Sequence, residues 1–212
     1  MDEQALIAAA QRGDTRAFNQ LVLLYQSMVY NVAYRVLSDP EAAADATQEA
    51  FFSAFKAIRK FRGGSFKSWL LRIVTNACYD QLRLKQRRPT SPLDDLLPET
   101  EHQLYLRDPA EQPDEFLERQ ELNHTLQAGI HTLPVEQRMV LVLSDVQGMS
   151  YEEIAQVTGW SLGTVKSRLS RGRAKLRDYL WQRRELLPAR YRLRHEESAE
   201  RTHEPLGRDR TG

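Results

Sequence analysis

A single cysteine, Cys78, is all the thiol chemistry available to this chain of 212 residues. One cysteine closes no internal disulfide, and no CxxC or His partner stands at metal-ligand spacing. Disulfide scaffolds and thiolate-bound zinc are therefore excluded, and Cys78 is expected to fill a small apolar position in a core. Long apolar runs are missing as well. No stretch approaches the roughly 20 residues that span a bilayer, and the opening "MDEQALIAAAQRGD" lacks the basic segment of a secretory signal. These absences predict a cytoplasmic protein without membrane insertion. The five His residues are scattered, and no carboxylate cluster sits beside a nucleophile or at metal spacing. No catalytic residue, metal site or cofactor is legible, so an enzyme acting on DNA finds no support.

What the chain does have is charge, 28% of its residues, with a net balance of only +1 that conceals segregated blocks. Between Arg62 and Arg88 the cations Arg62, Lys67, Arg72, Arg83, Lys85, Arg87 and Arg88 face Asp80 alone. From Pro89 to Glu118 the sign reverses, with Asp94, Asp95, Glu99, Glu101, Asp108, Glu111, Asp114, Glu115 and Glu118 against Arg107. Then Lys166, Arg168, Arg171, Arg173, Lys175 and Arg177 follow with no carboxylate among them. Two basic surfaces joined by an acidic connector is the pattern expected of a nucleic-acid-binding protein, although a basic run on its own is equally a solvated face.

Glycine and proline divide the first ninety residues into four helical stretches, with breaks at "RGDT", "LSDPE" and "FRGGS". In the second, Phe18, Leu21, Val22, Tyr25, Val29, Val32, Ala33 and Val36 repeat at one-face helical spacing. In the third, Asp39 is placed to cap and Pro40 to open the helix, with Ala50, Phe51, Ala54, Phe55 and Ile58 turned to a core. The fourth puts Phe66, Trp69, Leu70, Ile73 and Ala77 on one side. Residues 89–115, rich in Pro and acid without periodicity, read as a flexible linker. Helical pattern resumes near Phe116, a helix starts at Pro134 or Val135, Gly148 stops it, and Ser150 with Glu153 forms an S-x-x-E capping box. The fold class is all-α: a helical domain over 1–88, the linker, a second helical domain over 116–182, and a charged tail over 183–212 without fixed structure.

The second domain contains the most specific signal. The stretch "TGWSLGTVKSRLSRGRAKL" follows the capped "SYEEIAQV" after a turn of about four residues containing Gly, as a helix-turn-helix requires. With Ser161 as cap, Val165, Leu169, Gly172 and Leu176 turn inward, leaving Thr164, Lys166, Ser167, Arg168, Ser170, Arg171 and Arg173 over the outer surface. A helix presented in this way fits a DNA major groove about 12 Å wide. A conventional regulator that binds DNA as a dimer would show the same motif.

At this point the residues carry a resemblance. "LPVEQRMVLVLSDVQGMSYEEIAQVTGWSLGTVKSRLSRGRAKLR" resembles the promoter-reading C-terminal domain of bacterial RNA polymerase sigma factors of the extracytoplasmic-function (ECF) subgroup. "DATQEAFFSAFKAIRKFRGGSFKSWLLRIVTNACYDQLR" is similar to the polymerase-binding and promoter-melting region of the same subgroup, in the same order along the chain. The resemblance implies a subunit that joins core RNA polymerase, recognises upstream and downstream promoter DNA, melts it and directs initiation, with no reaction of its own. It also implies, as for many members, regulation by an anti-sigma factor.

Residue roles follow from the resemblance in the same way. Asp45, Gln48 and Glu49, with Phe52 one turn on, match positions that bind the polymerase clamp; read alone they are a solvated helix face. Arg62, Lys67, Arg72, Asn76 and Arg83 match the region that holds the displaced single strand, where basic groups track phosphates and a base is accepted in a pocket. Phe61, Phe66 and Trp69 are assigned to the core instead. Lys166, Ser167, Ser170 and Arg171 match base-contacting positions, with Thr164 beside them, while Arg168 and Arg173 are expected on phosphates.

Overall fold

The computed structural model describes residues 2–87 and 113–187, so most of the acidic segment and the chain from 188 onward lie outside the described residues. Within them every regular element is a helix. The first half comprises α1 (Glu3–Gln11), α2 (Thr15–Leu37), α3 (Pro40–Ala57), a 3-10 turn at Ile58–Lys60, and α4 (Phe66–Arg87). Three aspartates set the starts. Asp2 accepts from the Gln4 amide, Asp14 from those of Arg16 and Ala17, and Asp39 from that of Ala42, each satisfying donors that the first turn leaves orphaned. Pro40 takes the first helical position, as its spacing predicted.

The core of this half is built on the stripe foreseen in α2, where Val29, Val32, Ala33 and Val36 are wholly buried and Val22 and Tyr25 partly so. Facing it, α3 buries Ala43, Ala46, Ala50 and Ala54 completely. Four alanines at this spacing let α3 lie close to α2 and α4, and the close approach leaves no room for rings on the same stripe. The expectation that Phe55 faces the core is corrected on that ground, since Phe55 is 44% exposed, one ring edge resting on Phe18 at 5.1 Å between centroids. Phe51 is half-buried and packs against the core as expected. Phe61, Phe66 and Trp69 cluster with centroids 5.2 to 5.6 Å apart, which places them in the packing as expected. Cys78 is fully buried, and burial pushes its thiol pKa up to about 12, so it behaves as an inert apolar group.

The second half comprises α5 (Pro113–His131), α6 (Val135–Leu141), which widens into a π turn at Val142–Val146, α7 (Tyr151–Thr158) and α8 (Leu162–Gln182), then a 3-10 turn at Arg184–Leu186. Helix α5 starts at Pro113, inside the span read as linker, and the short 3-10 turn lies inside the span read as tail. The capping box is formed: Ser150 Oγ accepts from the Glu153 amide, and the Ser150 amide donates to Glu153 Oε2 at 2.9 Å. That amide, followed by the Ser150 side chain, holds the Glu153 carboxyl below its ordinary range. Stability gained this way is present above the usual glutamate pKa of 4.5 and is lost as pH falls through the depressed folded value. Wild-type protein should therefore lose more thermal stability than Glu153→Gln between about pH 5 and pH 3, as followed by circular dichroism melts.

The two halves pack on each other, which nothing in the sequence reading anticipated. Helix α2 ends at Ser38, a non-glycine residue at φ 56°, leaving carbonyls at its C-terminus to be satisfied. Arg138 of α6, only 5% exposed, donates to Val36 O as well as to His131 O and Leu133 O. Burial pulls its pKa down, and placing a cation at the negative end of α2 compensates. Gln127 of α5 donates to Tyr34 O at 3.3 Å and to Ser38 Oγ at 3.1 Å. Further along, Lys67 donates to Gln147 O at 2.8 Å, and Tyr79 meets Trp160 edge-on at 6.4 Å.

Candidate nucleic-acid interface

Helix α7 ends on Gly159 at φ 73°, a left-handed conformation that glycine adopts without strain, and α8 starts three residues later. Ser161 Oγ accepts from the Thr164 amide at 3.1 Å and shares a 2.8 Å hydrogen bond with Thr164 Oγ1. Ser167 Oγ donates to Thr164 O at 3.1 Å. The hydroxyls of Thr164 and Ser167 thus carry local partners, whereas Lys166, Ser170 and Arg171 are exposed on the outer surface of α8. Val165 and Leu169 are buried, as is Gly172, where a Cβ would come within 3.3 Å of Gln137 O. The glycine sets how closely α8 crosses α6.

Two of the expected phosphate contacts are engaged within the protein. The Arg168 guanidinium lies 3.9 Å from the Trp160 ring centroid, and one of its terminal nitrogens is buried with no hydrogen-bond partner among the described residues. Arg173 forms a two-pronged ion pair with Asp145, with Nε 3.0 Å from Oδ2 and a terminal nitrogen on Oδ1. An open groove of about 480 Å³ runs beside these residues, lined by Tyr151, Lys166, Leu169, Ser170, Arg173 and Arg177.

In the first half, Arg62 is exposed in the loop between the 3-10 turn and α4, where Gly63 and Gly64 both take φ near +90°. Arg72, Asn76 and Arg83 are exposed on α4, with Arg83 near Asp80 at 3.7 Å in an i,i+3 pair too solvated to hold it. Lys67 stands apart because it is bonded across to Gln147. Tyr79, its phenol pushed up to about 12 chiefly by burial, feels both Arg83 and Arg168. Asp45, Gln48, Glu49 and Phe52 share one exposed face of α3, opposite the buried alanines. There, Ser53 donates to Glu49 at 3.1 Å and Lys56 sits 3.7 Å over the Phe52 ring.

Sequence reasoning missed Arg138, Gln127, Trp160 and Asp145. For Arg138 a signal existed, since a lone Arg in the apolar run "RMVLVL" shares a helical face with Leu141 and Val142. The other three look like ordinary surface residues until the fold is known. No group of three or more His, Cys, Asp or Glu among the described residues is placed to hold a metal.

Residues 21–88 match the family model for sigma-70 region 2, and residues 124–176 match that for sigma-70 region 4. The RNA polymerase sigma-H factor of Pseudomonas aeruginosa is 39% identical over 176 residues, covering 81% of this chain and 90% of that protein. The ECF RNA polymerase sigma-E factor of Escherichia coli (strain K12) is 35% identical over 175 residues, covering 82% of this chain and 91% of that protein. The chain is an ECF sigma factor. The ECF RNA polymerase sigma factor SigE of Mycolicibacterium smegmatis is 38% identical over 164 residues, 77% of this chain and 62% of that longer protein. Among solved structures, CnrH in complex with the cytosolic domain of CnrY superposes with a TM-score of 0.60 at 28% identity, covering 84% of this chain and 96% of that one. As an ECF sigma factor the chain binds core RNA polymerase and promoter DNA and serves transcription initiation. Among the described residues, no helix is long and apolar enough to cross a membrane.

Proposed function

We propose that the two halves divide initiation between them, acting in the cytoplasm and without a reaction of their own. The half over 1–88 docks on core polymerase through Asp45, Gln48, Glu49 and Phe52. It holds the melted non-template strand with Arg62, Lys67, Arg72, Asn76 and Arg83. The half over 116–182 reads the upstream duplex with Lys166, Ser167, Ser170 and Arg171, beside Thr164, while Arg168 approaches the phosphates. The acidic segment over 89–115 joins them. The observation that carries this reading is the division of α3 into one wholly buried alanine stripe and one opposite exposed acidic face ending in Phe52. A helix so divided is fixed on one side and free to bind on the other.

Lys67 cannot track a phosphate while it donates to Gln147 O, so strand capture separates the halves at that point. An anti-sigma partner bridging the same two halves would oppose that separation. The test is permanganate reactivity of thymines in a promoter fragment mixed with core polymerase and this chain. Reactivity should appear only with both proteins present, and should weaken when Lys67 and Arg72 are changed to Ala. At the upstream element, Arg171→Ala is expected to cost about 1 to 3 kcal/mol of promoter binding by the holoenzyme, the usual worth of one base-edge contact, and to relax selectivity there. Equal loss on every upstream sequence would assign Arg171 to a phosphate instead.

A further inference from the structure

We propose that Asp145 is a positioning residue for promoter reading, which withdraws Arg173 from the DNA-contacting set and uses it to fix the angle of α8. This inference rests on the function proposed above. Arg173 stands on the helix row Lys166, Ser170, Arg173 and Arg177 that borders the groove, and by charge alone it belongs with the cations that meet phosphate. Its guanidinium is nevertheless occupied. Asp145 takes it with both carboxylate oxygens and Ser144 Oγ lies 3.5 Å from it, in the groove that Tyr151 also lines. The Asp145 bond is the first cause raising the pKa of Arg173 above its ordinary value.

Ser144 and Asp145 lie in the wide turn that ends α6, and Arg173 belongs to α8. One planar fork therefore ties the end of α6 to the recognition helix, next to Gly172, where a Cβ would meet Gln137 O of α6 at 3.3 Å. A fork–fork pair fixes orientation as well as distance, which a lysine point charge would not do. Lys166 and Ser170 lie about two turns and one turn toward the N-terminus of α8, about 10 Å and 5 Å along its axis. An error in the helix angle at Arg173 is carried along that arm to the residues that meet the bases. The ion pair also neutralises Arg173, so the salt-dependent attraction to DNA arises from the other cations.

The experiment uses holoenzyme assembled from core polymerase and full-length chain. The duplex probes are a promoter fragment recovered from start-site mapping and the same fragment with its upstream element scrambled. Asp145→Ala, Arg173→Ala and the double variant are compared across a salt series, at temperatures where melts show each protein folded. Both single variants should lose about tenfold or more on the promoter fragment and change little on the scrambled one, with an unchanged salt slope. The double variant should be no worse than either single, because the two residues act as one unit. Arg173→Lys, which keeps the charge but not the fork, should not restore binding. The proposal is overturned if Arg173→Ala weakens both probes alike and lowers the salt slope by about one while Asp145→Ala tightens binding, which would make Arg173 a phosphate contact restrained by Asp145. It is also overturned if Asp145→Ala behaves as wild type. Failure of the wild-type chain to form a promoter complex at all would instead remove the function on which the proposal rests.

Discussion

Exchanging Arg138 for methionine is expected to lower the unfolding free energy by about 2 to 4 kcal/mol. Methionine keeps an apolar stem of similar length, so the loss isolates the guanidinium and not the packing. Three carbonyls, Val36 O, His131 O and Leu133 O, would lose a charged donor in a place that water reaches poorly. Part of that loss is offset because a buried cation no longer has to be desolvated, which keeps the figure well below the sum of three charged hydrogen bonds. For a chain of this size the melting temperature should fall by roughly 5 to 15 °C, read by circular dichroism. Arg138→Lys retains charge but cannot reach three acceptors in one plane, and should fall in between. A melt within about 2 °C of wild type would show that the junction at the end of α2 contributes little. Because Val36 belongs to the first half and Arg138 to the second, the variant should also loosen one half from the other.

The second large effect is expected on the exposed face of α3. Reversing charge by Glu49→Lys together with Phe52→Ala should weaken association with core polymerase by about 2 to 4 kcal/mol, the scale of an interface hot spot. Both side chains are exposed, and the buried alanine stripe behind them is untouched, so the melt should stay within about 1 kcal/mol of wild type. A fluorescence titration of labelled chain against core enzyme separates these outcomes. Unchanged affinity would move the docking surface elsewhere, and a collapsed melt would make the face structural.

Local chemistry made much of this fold legible in the sequence. Asp39–Pro40, the Ser150 and Glu153 pair, and Gly159 followed by Ser161 each solve a helix-end problem with groups two to four residues apart, so spacing alone locates them. The alanine stripe of α3 shows where such reasoning stops. A hydrophobic count favours Phe55 as core, but the depth available between α2 and α4 is a property of the assembled bundle, and it selects small residues. Arg138 is a stronger case. One of its acceptors, Val36 O, lies 102 positions away in sequence, beyond any window of periodicity, and a charged residue in a buried row can be understood only once the end of α2 is seen beside it. The same distance hides the meaning of the recognition-helix cations. Lys166, Arg168, Arg171 and Arg173 read alike as letters, yet Lys166 and Arg171 are exposed, Arg168 stacks on Trp160 and Arg173 is paired with Asp145. Charge pattern alone does not separate Arg173, held by Asp145, from the exposed Lys166 and Arg171; geometry does.

The central claim is that this chain lends core polymerase a choice of promoter. Its most direct test is transcription of a genomic library by bacterial core enzyme, with and without the purified chain, followed by sequencing of the RNA 5′ ends. The account predicts a set of defined starts that appear only with the chain present and share one upstream element at fixed spacing. Association with core enzyme that leaves the start-site distribution unchanged, or no association at all, would contradict it.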